Sequence, residues 1–112
     1  MPHLDVYIAP FGSGMNSRAV LLAREIRHSL ELSVVVGSES FSLRKSLETA
    51  SKSGATYALI VGEDEVRSGI FPIKDLIRGK QYRVPKSEIV KKLKNLITAA
   101  KRRQPKKLAY WQ

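Results

Sequence analysis

Residues 54–62, Gly54-Ala55-Thr56-Tyr57-Ala58-Leu59-Ile60-Val61-Gly62, decide how this chain folds. Seven consecutive residues between the two glycines are apolar or β-forming, with no alternation of polar and apolar positions. A strand of that kind has both faces covered, so it belongs at the centre of a parallel sheet with helices on each side. The sequence on either side fits that setting. Upstream, Ser42 is a suitable N-cap for a helix whose Leu43, Leu47 and Ala50 face inward, and Gly54 supplies its stop. Downstream, Gly62-Glu63-Asp64-Glu65 ends the strand in an acidic turn.

Working outward, Leu4 to Ala9 reads as a first strand and Leu32 to Val36 as a second, buried one. Between them Ala19, Leu22, Ala23, Ile26 and Leu30 recur at helical spacing. After the acidic turn, Ile70 to Ile73 extends again and Gln81 to Val84 returns as its hairpin partner, across a turn at Arg78-Gly79. Pro72 has no N–H for a ladder, which pushes its strand towards a sheet edge or a bulge. A last helix follows Pro85, with a stripe of Ile89, Val90, Leu93, Leu96, Ile97 and Ala100. The order is β-α-β-α-β-β-β-α, which predicts an α/β fold with a parallel core and a late antiparallel hairpin. The expected organisation is one domain over residues 1–100 and a flexible basic tail over 101–112, where Leu108, Tyr110 and Trp111 are candidates for docking.

The chain has 112 residues, 43% of them hydrophobic, and no cysteine. A small core is affordable, whereas a disulfide scaffold and thiolate chemistry are excluded. No apolar run reaches the ~20 residues that span a bilayer, and no signal-peptide pattern opens the chain, so a cytoplasmic protein with no membrane partner is expected. Twenty Lys and Arg against ten Asp and Glu give a net charge of +10. The last twelve residues hold five of those cations and no acid, yet the remainder is still basic. A polyanionic partner is the favoured reading, and its binding would depend on salt.

Pro10-Phe11-Gly12-Ser13-Gly14-Met15-Asn16-Ser17 joins the first strand to the first helix and resembles a phosphate-binding loop. The match is partial. Position 17 is Ser17 where a dinucleotide loop needs a third glycine, Gly-Lys-Ser/Thr is absent, and residues 32–37 lack the acid that would hold a ribose. A tight strand-to-helix bend is the favoured reading. His3 and His28 have no partners at metal spacing, and no serine sits in a nucleophile elbow. No enzyme, cofactor or metal site is expected.

Glu63, Asp64 and Glu65 are three successive acids in a basic protein. Ligands of open α/β sheets bind at the carboxyl ends of the strands. A carboxylate there can accept hydrogen bonds from N1–H and N2–H of an unpaired guanine, while Lys and Arg hold phosphates. Arg44, Lys45 and Lys52 on the second helix are the candidate cations. A plain solvated turn accounts for the acids equally well.

The stretch Leu43 to Val84 resembles the anticodon-binding domain of class II aminoacyl-tRNA synthetases, and is most similar to the C-terminal domain of histidyl-tRNA synthetase. Ala50, Gly54-Ala55, Gly62-Glu63, Glu65, Gly69, Lys74-Asp75-Leu76 and Gly79-Lys80-Gln81 carry the resemblance. "DVYIAPFG" and "LAREIR" extend it over roughly residues 4–97. It implies a three-layer α/β/α fold, a five-stranded mixed sheet flanked by three helices, and a grip on the anticodon arm of tRNA. It implies that Glu63 and Glu65 read guanines of a GUG anticodon. Phe11 is either a stacking surface or a core plug. Lys45-Ser46 replaces a Lys-Gln pair common in the family, so an amide that would contact RNA is missing. No stretch resembles the class II catalytic motifs. The alternative is a free-standing accessory or regulatory module that binds a synthetase catalytic domain or another protein.

Overall fold

A computed structural model describes residues 3–103. Its elements are β1 (Leu4–Phe11), α1 (Met15–Ser29), β2 (Val34–Val36), α2 (Leu43–Lys52), β3 (Ala55–Gly62), α3 (Glu63–Ser68), β4 (Ile70–Asp75), β5 (Gln81–Pro85), a 3-10 turn (Lys86–Glu88) and α4 (Ile89–Arg102). The strands form one mixed sheet in the order β2-β1-β3-β4-β5. β2, β1 and β3 are parallel, with Val6 beside Val34 and Tyr57. β4 runs antiparallel to both β3 and β5. Helical crossovers link the parallel strands, and a tight turn links β4 to β5, as these connections require.

Alternation along β1 separates two cores. Val6 and Ile8 face α1 and α4, where Ala19, Leu22, Ala23, Ile26, Ile89, Leu93 and Leu96 complete the larger one. Tyr7 and Ala9 face α2 across Ala50 and Ala58. The small alanines let α2 lie close against the sheet. Three helices thus flank the five strands, as expected.

Four local expectations change. The acidic stretch is a fourth helix, not a turn: Glu63, Asp64 and Glu65 occupy the first turn of α3, where the helix dipole favours negative charge, and Gly69 closes it at φ 75°. β2 is an edge strand shortened to Val34–Val36, with Val35 exposed, so it is only partly buried. In place of Leu32 and Ser33 in the ladder, Ser33 clasps Asp5: its N–H donates to Oδ2 at 2.9 Å, and its carbonyl accepts from Asp5 and Val6. Pro72 is not on an edge strand, because β4 lies between β3 and β5. The β3 ladder ends at Leu59–Ile73, one residue before Pro72, so no partner there is deprived of a donor. α4 continues through Lys101 and Arg102, beyond the boundary expected at residue 100. The rest of the expected tail, residues 104–112 with Leu108, Tyr110 and Trp111, lies outside the described residues.

Asp75 is buried and closes the β4–β5 turn. Its carboxylate accepts from the N–H groups of Ile77 and Arg78 at 3.0 and 2.9 Å. Within the described residues no helix is long and apolar enough to cross a membrane.

Candidate nucleic-acid interface

The carboxyl ends of β1, β2 and β3 lie together, because parallel strands joined by helical crossovers all point one way. Phe11 ends β1 directly beside Gly62, the last residue of β3. Phe11, Gly12, Glu63, Asp64 and Glu65 line an open depression there. Phe11 is 46% exposed, so it is not a core plug but an aromatic face turned to solvent. Glu65 folds back over Gly62, whose missing Cβ makes the room: an added Cβ would lie 2.5 Å from Glu65 Oε1. Asp64 pairs with Arg67 at 3.2 Å one turn along α3. Glu63 is exposed.

α2 starts at the same end of the sheet. Ser42 caps it, accepting from the Lys45 N–H at 3.1 Å. Lys45 Nζ rests 4.4 Å from the centre of the Phe41 ring, which holds its position. Arg44 forms an exposed pair with Glu48 at 3.3 Å. Such pairs contribute little, so Arg44 can exchange Glu48 for a phosphate at small expense. Ser46 is 1% exposed. A residue at that position points into the protein, so Ser46 removes no amide from the surface. Lys52 is in the last turn of α2, about 12 Å along the axis from Arg44 at 1.5 Å per residue, and at the opposite end of the strands, just before β3 begins. The fold therefore places Phe11, Glu63, Glu65, Arg44 and Lys45 at one end and leaves Lys52 out.

The glycine loop is occupied by the protein itself. Gly12 and Gly14 have φ of 106° and 83°, angles that favour glycine, and they turn the chain into α1. The Glu39 carboxylate then accepts from the N–H of Asn16 at 2.8 Å and of Gly14 at 3.3 Å. An internal anion thus sits where a phosphate would bind at a helix N-terminus. Glu39 lies two residues past the uncharged window 32–37, and it serves the loop amides instead of a ribose. Its role depends on a contact spanning 23 residues, which no local motif announces. We expect Glu39→Ala to destabilise the fold by ~1–2 kcal/mol, since both donors lose a charged partner. Thermal unfolding of the two proteins checks this, and an unchanged melting temperature would show that water replaces Glu39 without loss. Among the described residues no three His, Asp or Glu side chains gather as a metal site.

Comparison with known proteins identifies the family and the fold. A family profile described as "Anticodon binding domain" matches residues 5–96. The chain is 41% identical over 92 residues to a histidine–tRNA ligase of Koribacter versatilis (strain Ellin345), covering 82% of this chain and 21% of that protein. It is 38% identical over 93 residues to a histidine–tRNA ligase of Solibacter usitatus (strain Ellin6076), covering 80% and 21%. It spans about a fifth of the length of these curated relatives. The crystal structure of histidyl-tRNA synthetase from Nostoc sp. PCC 7120 shares the fold, with a TM-score of 0.78 at 22% identity over 86% of this chain and 23% of that one. The apo S. aureus histidyl-tRNA synthetase does so with a TM-score of 0.73 at 19% identity, over 81% and 26%. The family profile spans most of the chain, and relatives at 41% and 38% identity match over the same region, so this chain belongs to the anticodon binding domain family.

Proposed function

We propose that this chain grips the anticodon arm of a tRNA of the histidine type, and that its contribution is binding, with catalysis left to a separate synthetase domain. One observation carries the reading: Glu63 and Glu65 stand beside the exposed ring of Phe11 at the strand ends of an anticodon binding domain. A carboxylate accepts both N1–H and N2–H of guanine, and a GUG anticodon offers two guanines. Phe11 supplies a face on which an unpaired base can stack, and stacking of this kind contributes about 1–3 kcal/mol per base. Arg44 and Lys45 supply the phosphate contacts.

The test is a titration of the chain with a GUG-anticodon tRNA, with the same tRNA altered at its guanines, and with an unrelated tRNA, across a salt series. Glu65→Gln keeps the size of the side chain but turns one acceptor oxygen into a donor. We expect it to weaken binding of the GUG tRNA by roughly tenfold, about 1.4 kcal/mol, with little effect on the altered tRNA. Equal affinity of the unmodified protein for all three tRNAs would overturn the reading.

A further inference from the structure

The positive charge of this protein is not spread over it. Residues 78–112 hold twelve Lys and Arg and a single acid, Glu88, whereas residues 1–77 hold eight against nine. The whole excess therefore falls after residue 77, and seven of those twelve cations lie on β5, the 3-10 turn and α4. β5 is the free edge of the sheet opposite β2. α4 runs beside it, and the two enclose a groove lined by Tyr82, Arg83, Glu88, Lys91, Lys92 and Asn95. A second depression continues along α4 past Asn95 to Thr98, Arg102 and Arg103. Lys91, Asn95, Thr98 and Arg102 fall in one row by helical spacing, opposite the buried stripe of Ile89, Leu93 and Leu96. Lys92 Nζ is held 4.3 Å from the centre of the Tyr82 ring. Among the described residues none of these cations forms an ion pair, while in the rest of the chain Arg44 and Arg67 do.

We propose that the β5–α4 edge is a second nucleic-acid surface, which holds the backbone of a double-stranded RNA segment without reading its sequence. Unpaired cations along a helix neutralise phosphates and release counterions. Lys91 and Arg102 lie about 16 Å apart along the axis at 1.5 Å per residue, so the row spans several phosphates. Single-stranded nucleic acid is held on open aromatic platforms, and here the one aromatic ring in the groove, Tyr82, is covered by Lys92. That favours a duplex. Asn95 and Thr98, uncharged and exposed between the two cations, suit the 2′-hydroxyls that line the shallow groove of A-form RNA. This surface goes beyond the strand-end site and stands without it, since it needs no unpaired base and no anticodon.

The probe is a blunt RNA duplex of 16 base pairs and arbitrary sequence, with a DNA duplex of the same sequence, a polyglutamate peptide and anionic phospholipid vesicles as comparators. Lys91→Glu with Arg102→Glu reverses two charges in the row. Arg18→Glu with Arg24→Glu makes the same change in net charge on α1. The expected result is a tenfold or greater loss of RNA-duplex affinity for the α4 pair, less than threefold for the α1 pair, and a salt slope shallower by roughly two for the α4 pair alone. Lys91→Gln with Arg102→Gln removes the charges without reversing them and should show the same slope change should the reversed pair fold poorly. Equal losses on α1 and α4 would overturn the localised surface. So would an unmodified protein that ignores the RNA duplex, or that binds DNA, polyglutamate or vesicles as tightly. Because the duplex carries no anticodon, indifference of the chain to anticodon sequence would leave this result unchanged, and the two proposals fail separately.

Discussion

Gly37→Ala is expected to lower the stability of the fold by ~3 kcal/mol, although alanine is the smallest side chain that can be added. Gly37 follows β2, and its N–H donates to the Ile8 carbonyl at 2.9 Å, continuing the parallel pairing. A Cβ at this position would lie 2.1 Å from Tyr7 Oη, 2.6 Å from Cζ and 2.9 Å from Cε1. These distances are far inside van der Waals contact, so something must move. Tyr7 is 2% exposed and packed with Ala9, Ala50 and Ala58 under α2. Burial also raises the pKa of its hydroxyl, so the group stays neutral through the ordinary pH range. Moving the ring disturbs its packing under α2, and moving the backbone strains the bond to Ile8. A folded domain of this size is stable by about 5–15 kcal/mol, so the loss is a large fraction. It should appear as a fall in melting temperature of roughly 10–20 °C. Adding Tyr7→Phe removes the nearest atom but leaves Cζ at 2.6 Å, so the double variant should recover only part of the loss. Full recovery, or a single variant within about 0.5 kcal/mol of the unmodified protein, would show that the ring moves freely.

The contact between Gly37 and Tyr7 also shows where reading the sequence stops. The long elements were legible because each carries its own periodic signal. The stripes of α1 and α4, the cap at Ser42 and the unbroken apolar run of β3 all announce themselves within a few residues. α3 did not, because six residues are too few to show a period, and a glycine followed by three acids reads as a turn until the backbone is seen to coil. Pro72 was misplaced for a different reason. Its strand is internal, but the β3 ladder stops short of it, and the end of a ladder depends on how β3 and β4 diverge in space.

The candidate site was legible to the same extent. Phe11, Glu63 and Glu65 follow from the rule that parallel strands gather their carboxyl ends, once the strands are assigned. Arg44 and Lys45 follow from the start of the next helix. Lys52 lies apart from the others, since ten helical residues carry it to the amino ends of the strands. Glu39 and Gly37 were out of reach, because their partners lie 23 and 30 residues away in sequence and only the packed fold brings them together. The concentration of charge beyond residue 77 is visible in the sequence, but its meaning is not. It becomes a surface only when β5 proves to be an edge strand and α4 lies beside it.

Leu93→Ala carries the largest expected effect in α4, a loss of ~3–4 kcal/mol. Leu93 is 0% exposed and sits at the middle of the stripe with Ile89 and Leu96, facing the sheet core of Ile73 and Val84. Removing its side chain deletes buried apolar surface and leaves a cavity that rigid strands cannot collapse to fill. Lys94→Ala, one residue on and exposed, should stay within about 0.5 kcal/mol of the unmodified protein. The comparison separates loss of packing from loss of helix propensity, because alanine is the better helix former at both positions. Urea unfolding checks the outcome. α1 and α4 share one core cluster with the sheet, so the midpoint should fall while the transition stays single and its slope unchanged. A shallower slope, or helix signal lost before the main transition, would instead mean that α4 detaches alone from an otherwise folded sheet. That outcome would bear on binding as well, because the row of Lys91, Asn95, Thr98 and Arg102 exists as a surface only while Leu93 holds the opposite face of the helix against the strands.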